Sequence, residues 1–416
     1  MNRRVVVTGM SGITAFGNDW QHIEPKLRAC ENAVQFMESY VQYDGLNTKL
    51  AAPIVNFELP KHYTRKKTRG MGRVSQMATL ASEQALLQSG LLSPDGDKHP
   101  ILTNGQTGVA YGSSTGSTPA IGAFGVMLNE KSTRAITATT YVQMMPHTSA
   151  VNVGLFFGLR GRVIPTSSAC TSGSQAIGYA YEAIKHGYQT VMVAGGGEEL
   201  CPTESAVFDT LFATSLKNDA PKTTPRPYDK DRDGLVIGEG AGTLVLEEYQ
   251  HAVERGATIY AEIVGFASNC DAAHVTQPQM ENMQRCMELA LDNANLSPSV
   301  IDYISAHGTA TDRGDIAESQ ATENVFGHQT PISSLKSYFG HTLGACGALE
   351  AWLSLEMMHS GWFNPTLNLD NIDPECGKLD YIRGHGRELD CQYIMSNNFA
   401  FGGINTSIIF KKSADA

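Results

Sequence analysis

Residues 162–173 read Arg162-Val163-Ile164-Pro165-Thr166-Ser167-Ser168-Ala169-Cys170-Thr171-Ser172-Gly173, and Ala176, Ile177, Ala180, Tyr181 and Ile184 follow at three- and four-residue spacing. Arg162 to Pro165 reads as a short buried strand. The spaced apolar residues form the stripe of an amphipathic helix that Gly187 stops. Cys170 therefore sits on a tight strand-to-helix turn. A thiol there faces unpaired backbone N–H groups and the positive end of the helix dipole, which predicts a thiolate nucleophile. A free cysteine is more often a small buried hydrophobe. The surrounding Ser, Ala, Thr and Gly residues leave room for a substrate, and the arrangement is analogous to the strand–nucleophile–helix elbow of hydrolases.

Working outward, Gln189 to Gly195 reads as another buried strand, so strand, helix and strand form a βαβ unit and imply a parallel sheet. Val5-Val6-Val7 is a first strand. Its glycines Gly9, Gly12 and Gly17 miss the dinucleotide spacing. Residues 118–160 look irregular. Lys217 to Gly242 reads as a long charged loop whose carboxylates and arginines pair with one another. From about residue 256 the rhythm restarts. Ala261–Phe266, Ile301–Ala306, Ile332–Lys336, Tyr393–Met395 and Ile404–Phe410 read as strands, with a helix through Met283, Cys286, Met287, Ala290, Leu291 and Ala294. Asp315 is placed to cap the helix after the Ile301 strand. The reading is an α/β chain of two similarly built halves, 1–255 and 256–416.

The 416 residues suffice for a large core, and the formal net charge of −11 argues against general nucleic-acid binding. Cys30, Cys170, Cys201, Cys270, Cys286, Cys346, Cys376 and Cys391 contain no CxxC pair, so neither a zinc site nor a disulfide framework is indicated, and scattered thiols suit a reducing cytoplasm. No run approaches the roughly 18 apolar residues of a membrane span. On this acidic background Arg65-Lys66-Lys67-Thr68-Arg69-Gly70-Met71-Gly72-Arg73 stands out as a patch for an acidic partner.

Two further turns carry chemistry. His307 and His341 each lie in a Gly- and Thr-bearing turn at a strand end, where α/β sheets place their sites. Two neutral imidazoles can donate hydrogen bonds to a thioester carbonyl or an enolate oxygen. The positive charge of Lys336 would help keep a nearby imidazole neutral. One cysteine and two histidines without metal spacing suit acyl-thioester chemistry.

The stretches Thr166–Gly173, Ala306-His307-Gly308-Thr309-Ala310-Thr311-Asp312-Arg313-Gly314-Asp315, Lys336-Ser337-Tyr338-Phe339-Gly340-His341-Thr342-Leu343-Gly344 and Asn398-Phe399-Ala400-Phe401-Gly402-Gly403 resemble, in order and along the whole chain, the signatures of the β-ketoacyl-acyl-carrier-protein synthases, the elongating condensing enzymes of type II fatty-acid and polyketide synthesis. The resemblance implies a duplicated, thiolase-like five-layered αβαβα fold. It implies that Cys170 accepts an acyl chain, and that His307 and His341 promote decarboxylation of malonyl carrier protein and stabilise its enolate. The backbone N–H groups of Cys170 and Phe401 would form the oxyanion hole, Phe401 would gate the pocket, and Lys336 would tune the histidines together with Glu350. Thr309, Thr311 and Thr276 match positions that hold the pantetheine arm, Thr115 and Phe399 match the acyl pocket, and Lys66, Arg69, Arg134 and Lys217 match the patch that docks the acyl carrier protein. No metal or organic cofactor is implied, since phosphopantetheine arrives on the carrier protein.

The implied assembly is a two-fold homodimer, or a heterodimer with a chain-length-factor-like subunit, with the strand after the nucleophile helix pairing across the axis. Ala400 stands where glycine is common, predicting strain if its φ is positive. Tyr338 and Phe339 add bulk before Gly340-His341, Ile404 replaces a usual threonine, and Thr115 replaces a larger apolar residue. These departures point to an unsaturated or aryl chain, as in an aryl-polyene pathway, beside the fatty-acid reading. A non-catalytic chain-length factor typically lacks the cysteine, and a degradative thiolase uses a second cysteine in a CxG turn that neither Cys346 nor Cys391 provides.

Overall fold

The structure is a computed structural model that describes residues 3–413. Eleven strands form one hydrogen-bonded array: β1 (Val5–Ile13), β2 (Thr107–Gly112), β3 (Val163–Thr166), β4 (Val191–Glu198), β5 (Gly240–Glu248), β6 (Ala261–Cys270), β7 (Tyr303–Ser305), β8 (Pro331–Ser333), β9 (Asp380–Tyr381), β10 (Tyr393–Ala400) and β11 (Ile404–Lys412). Their spatial order is β9-β8-β7-β10-β11-β6-β1-β5-β4-β2-β3. Read outward from the centre, β1-β5-β4-β2-β3 and β6-β11-β10-β7-β8 are the same sheet twice. In each, the outer three strands run parallel and the inner ones antiparallel. Among the described residues the two sheets are hydrogen-bonded to each other only where Val5–Val7 pairs with Ala261–Ile263. The repeat is one of strand order and pairing.

The helices include α1 (Arg73–Gln88), α2 (Thr118–Glu130), α3 (Thr140–Met144), α4 (Thr148–Phe157), α5 (Ser172–Lys185), α6 (Pro202–Thr210), α7 (Met280–Ala294), α8 (Asp312–Phe326) and α9 (Cys346–Ser360). α1 and α4 cover the outer face of the first sheet, and α7 with α8 the outer face of the second. α5 and α9 lie side by side between the sheets and touch both. That makes five layers, αβαβα. Covering both faces explains why β1 is buried along its whole length, as the run Val5-Val6-Val7 requires. The largest apolar cluster joins Ile177, Ala180, Tyr181 and Ile184 of α5 to Trp352, Leu353 and Leu355 of α9. Among the described residues no helix is long and apolar enough to cross a membrane.

Three expectations are corrected. Residues 118–160 are mostly helical, as α2, α3 and α4; Pro119 at the start of α2 and Gly122 and Gly125 within it hide the helix from pattern reading. β3 is not buried: it is the outer edge of the first sheet, and Val163 is 49% exposed. The strand after the nucleophile helix, β4, lies between β5 and β2, so both its edges are already paired and it cannot pair across a two-fold axis.

The middle layer is tightly fitted. Gly178 on α5 faces the buried Phe266 of β6, and a Cβ there would lie 2.1 Å from the Phe266 ring. Alanine in a helix interior usually stabilises by about 1 kcal/mol over glycine. Here overpacking outweighs that gain, and Gly178→Ala is expected to destabilise by about 1–3 kcal/mol, read as a lower urea midpoint with an unchanged slope.

Candidate active site

β3 ends at Thr166 and hands the chain to a tight turn. The Thr166 hydroxyl donates to the Ser172 carbonyl at 2.8 Å, the Ser172 hydroxyl donates to the Ala169 carbonyl at 2.7 Å, and the Ser168 N–H donates back to the Ser172 hydroxyl at 3.0 Å. These bonds hold Ala169 at φ +50°, a left-handed conformation that suits a small side chain, and set Cys170 just ahead of α5. The thiol is buried, and burial pushes it up to about 12. Lys336 and the backbone N–H groups of Phe401 and Cys170, which both act on the sulfur, pull the other way without prevailing. The expected thiolate is therefore corrected to a neutral thiol, because desolvation exceeds what one helix end supplies.

His341 follows Gly340, whose φ of +67° turns the chain between Val236 and Gly238. His341 N–H donates to the Val236 carbonyl at 2.7 Å, and Gly238 N–H donates to the His341 carbonyl at 2.9 Å. The Leu343 N–H donates to His341 Nδ1 at 3.3 Å. That makes Nδ1 the acceptor and assigns the proton to Nε2, which lies 2.9 Å from Cys170 Sγ. His307 closes β7, where the Glu318 carboxyl from α8 accepts its N–H and that of Gly308, both at 2.7 Å. The two imidazoles meet edge to face with centroids 5.2 Å apart. Burial first, then the Lys336 charge, holds both well below the usual imidazole range, so both are neutral.

Behind them lies a buried polar chain. Lys336 Nζ is ion-paired with Glu350. Glu350 Oε2 accepts from Asn398 Nδ2 at 2.7 Å, and the same amide group lies 3.5 Å from His307 Nδ1. Cys346 donates to the Cys170 carbonyl at 3.1 Å. Cys170, His307 and His341 also lie within ligand distance of one soft metal ion. The adjoining Lys336 ammonium opposes a cation there.

A cavity of about 540 Å³ opens on Cys170 and both histidines. Thr276, Thr309, Thr311, Phe399 and Phe401 line it, and the Thr309 and Thr311 hydroxyls are 2.9 Å apart. Phe208, which sequence reasoning missed, lines it as well and packs on Phe401 at 5.0 Å. Thr115 does not line it; its hydroxyl turns instead to Glu204 at 3.1 Å and Glu198 at 3.3 Å. Tyr338 and Phe339 point away, toward the Leu27 carbonyl and the Phe16 ring, and add no bulk to the cavity. Ala400 ends β10 with a negative φ and carries no strain; Gly402 and Gly403 make the turn at φ +88° and +74°. Asp315 lies inside the first turn of α8 and is not its cap, yet its carboxyl reaches back to accept the N–H groups of Thr309, Ala310 and Tyr228.

Of the basic residues, Lys66 and Arg69 are exposed on and after the helical turn Arg65–Thr68. Arg73 is committed to Glu239, Arg134 to Glu130, and Lys217 to Asp233 and the Asp231 carbonyl. The loop charges pair largely outside the loop: Arg232 with Asp312, Asp315 and Asp373, and Arg226 with Asp370 as well as Asp229.

Comparison with known proteins gives a consistent answer. Residues 2–252 match the family description "Beta-ketoacyl synthase, N-terminal domain" and residues 260–370 match "Beta-ketoacyl synthase, C-terminal domain". The chain is 37% identical to a 3-oxoacyl-[acyl-carrier-protein] synthase 2 of Vibrio harveyi, over 99% of each chain. It superposes with a TM-score of 0.96 on a beta-ketoacyl synthase from Burkholderia phymatum STM815, at 59% identity, covering 99% of this chain and 100% of that one. A ketosynthase solved in complex with a type II PKS acyl-carrier protein and bound to the hexaketide superposes with a TM-score of 0.87 at 30% identity, covering 99% of this chain and 100% of that one.

A buried neutral thiol is slow toward electrophiles until it ionises. Alkylation of Cys170 by iodoacetamide is expected to rise about tenfold per pH unit from pH 7 to 9 without levelling. Lys336→Met should slow it at every pH, since the Lys336 charge favours the thiolate; peptide mass spectrometry reads both. A plateau below pH 8 would show a thiolate already formed.

Proposed function

The chain belongs to the beta-ketoacyl synthase family, and from that premise we propose how its own residues perform the condensation that joins an enzyme-bound acyl group to malonyl carrier protein. In the first half-reaction Cys170 attacks the acyl thioester of the carrier protein. The carbonyl oxygen takes the negative charge beside the N–H groups of Cys170 and Phe401, the C–S bond to pantetheine breaks, and the Cys170 proton leaves with the pantetheine thiol. In the second, malonyl carrier protein loses carbon dioxide. The electron pair of the broken bond becomes an enolate whose oxygen accepts hydrogen bonds from the Nε2–H groups of His307 and His341. The enolate carbon attacks the acyl-Cys170 carbonyl, and the cysteine sulfur departs as thiolate and takes a proton from solvent water. The product is a β-ketoacyl carrier protein two carbons longer.

The observation that carries this reading is the Leu343 N–H bond to His341 Nδ1. It leaves Nε2–H directed at the Cys170 sulfur, so a neutral imidazole serves as a hydrogen-bond donor, where a protease-type base would instead need an acceptor nitrogen there. Lys336, Glu350 and Asn398 act as positioning residues, holding His307 in the matching state. Thr276, Thr309 and Thr311 hold the pantetheine arm at the cavity mouth, and Phe401 moves against Phe208 to admit the chain. Lys66 and Arg69 are the freest cations for an acidic carrier protein; Arg134 and Lys217 would first have to release Glu130 and Asp233.

We further propose a two-fold dimer joined through β3. That edge strand presents unpaired backbone groups, and Val163 and, on the neighbouring α4, Leu155 at 74% exposure offer apolar surface beside it. Exposed edges invite pairing, and antiparallel addition of a partner's β3, a short strand of four residues, would continue the first sheet through the interface. The repeated strand order supports reading 1–255 and 256–416 as two copies of one ancestral half.

Incubation with acyl carrier protein is expected to add one acyl mass to Cys170, visible by intact-mass spectrometry and absent in Cys170→Ala. Malonyl carrier protein should then release a product two carbons longer. His341→Ala should lower the condensation rate by roughly 10²–10³, the scale of losing one oxyanion donor. Failure of any acyl chain to load the folded protein would overturn the enzyme reading. Light scattering should give a dimer at micromolar concentration, and Val163→Lys should shift it toward monomer.

A further inference from the structure

Glu204 is a carboxyl where apolar packing would be expected. It is 4% exposed, its Oε1 has one partner, the Thr115 hydroxyl at 3.1 Å, and its Oε2 is buried with no hydrogen-bond partner among the described residues. Its neighbour Glu198 is the opposite case, accepting from Ser113 Oγ at 2.8 Å, Ser114 N–H at 2.8 Å and Gly344 N–H at 3.0 Å, with Thr115 adding a contact at 3.3 Å. A buried polar atom left unmatched costs about 1–3 kcal/mol, and in a native structure it calls for an explanation.

Position supplies one. Glu204 and Phe208 are four residues apart on the buried face of α6, about 6 Å along its axis. Phe208 lines the cavity and belongs to the apolar cluster around Cys170, with Leu200, Leu343 and Phe401. An acyl chain on Cys170 has the polar mouth of Thr276, Thr309 and Thr311 on one side and this apolar cluster on the other. Following the cluster along α6 past Phe208 leads to Glu204. Glu204 and Thr115 lie behind the cavity lining that Phe208 forms, and the 113–117 loop that carries Thr115 meets the nucleophile turn, where the Ser114 carbonyl lies 3.5 Å from the Ser167 hydroxyl.

We propose that Glu204, steadied by Thr115, selects acyl chains whose far end carries a hydroxyl group, with Oε2 as the point of contact. The inference rests on the ketosynthase reading of Cys170. A hydroxyl both donates and accepts, so it can satisfy Oε2 in either protonation state of the carboxyl. Burial, with the Glu198 charge adding to it, holds Glu204 well above the ordinary carboxyl range, and a hydroxyl brings no further charge beside it. A methyl-ended chain of the same length leaves Oε2 unmatched.

The test is a ladder of saturated acyl carrier proteins of increasing length, each made with a methyl end and with an ω-hydroxyl end. Loading of Cys170 is followed by intact mass and elongation by kcat/KM. At the length that reaches Glu204, the wild-type protein is expected to favour the hydroxyl form by about tenfold or more. Glu204→Leu should reverse the preference and raise turnover of the methyl-ended chain, a gain that a misfolded variant cannot show. Glu204→Gln should keep the preference. Loading and elongation without preference at any length, or a preference that survives Glu204→Leu, overturns the proposal while leaving the ketosynthase reading intact. Absence of loading by either series overturns both.

Discussion

The buried ion pair between Lys336 and Glu350 is the interaction on which the site depends. Taking an ammonium and a carboxylate out of water costs several kcal/mol each unless they meet each other and find further partners. Glu350 comes from α9, in the layer between the sheets, and its second oxygen is taken by Asn398 of β10. Lys336 opens the short helical turn that leads to Gly340 and His341. The pair therefore ties the middle layer, the second sheet and the histidine turn together. It also leaves a fixed positive charge beside two imidazoles already desolvated. Neither ring can hold a second proton there, so both are donors of one N–H each.

That constraint explains why the turn residues are legible in the sequence and their supports are not. Cys170, His307 and His341 each end a strand or helical turn beside Gly and Thr, a local pattern that names them directly. Glu318, Asn398 and Phe208 belong to the same site but reach it from other elements, so no spacing along the chain announces them. Asn398 stood inside a recognisable stretch and could have been singled out by its place at the strand end; Glu318 could have been found only by noting an acid one helical turn after Asp315. The α/β duplication was visible as a repeated rhythm, yet strand order is set by pairing between residues hundreds of positions apart. The apolar Val163 reads as core, and only the finished sheet shows that it lies on an edge.

The nucleophile turn shows the same balance between local and distant terms. A helix N-terminus does favour a thiolate, and the backbone N–H groups at Cys170 do lower its pKa. The middle layer that carries α5 also buries the sulfur between two sheets, and burial decides the outcome. A resting thiol is shielded from stray electrophiles.

A second regularity runs through the irregular segments. A loop inside a protein must find partners for its backbone N–H groups, and here buried carboxyls provide them repeatedly. Glu318 takes the N–H groups of His307 and Gly308, Asp315 those of Thr309, Ala310 and Tyr228, Glu198 those of Ser114 and Gly344, and Glu199 those of Val74 and Thr118. Burial raises the first two to about 7 and about 6 and shifts the other two upward as well. Part of the formal charge of −11 is thus internal scaffolding, invisible to composition and weaker as a surface field than the count implies. Glu204 departs from that pattern: its buried carboxyl, on the helix that brings Phe208 to the site, pins no backbone group, and its Oε2 has no partner among the described residues.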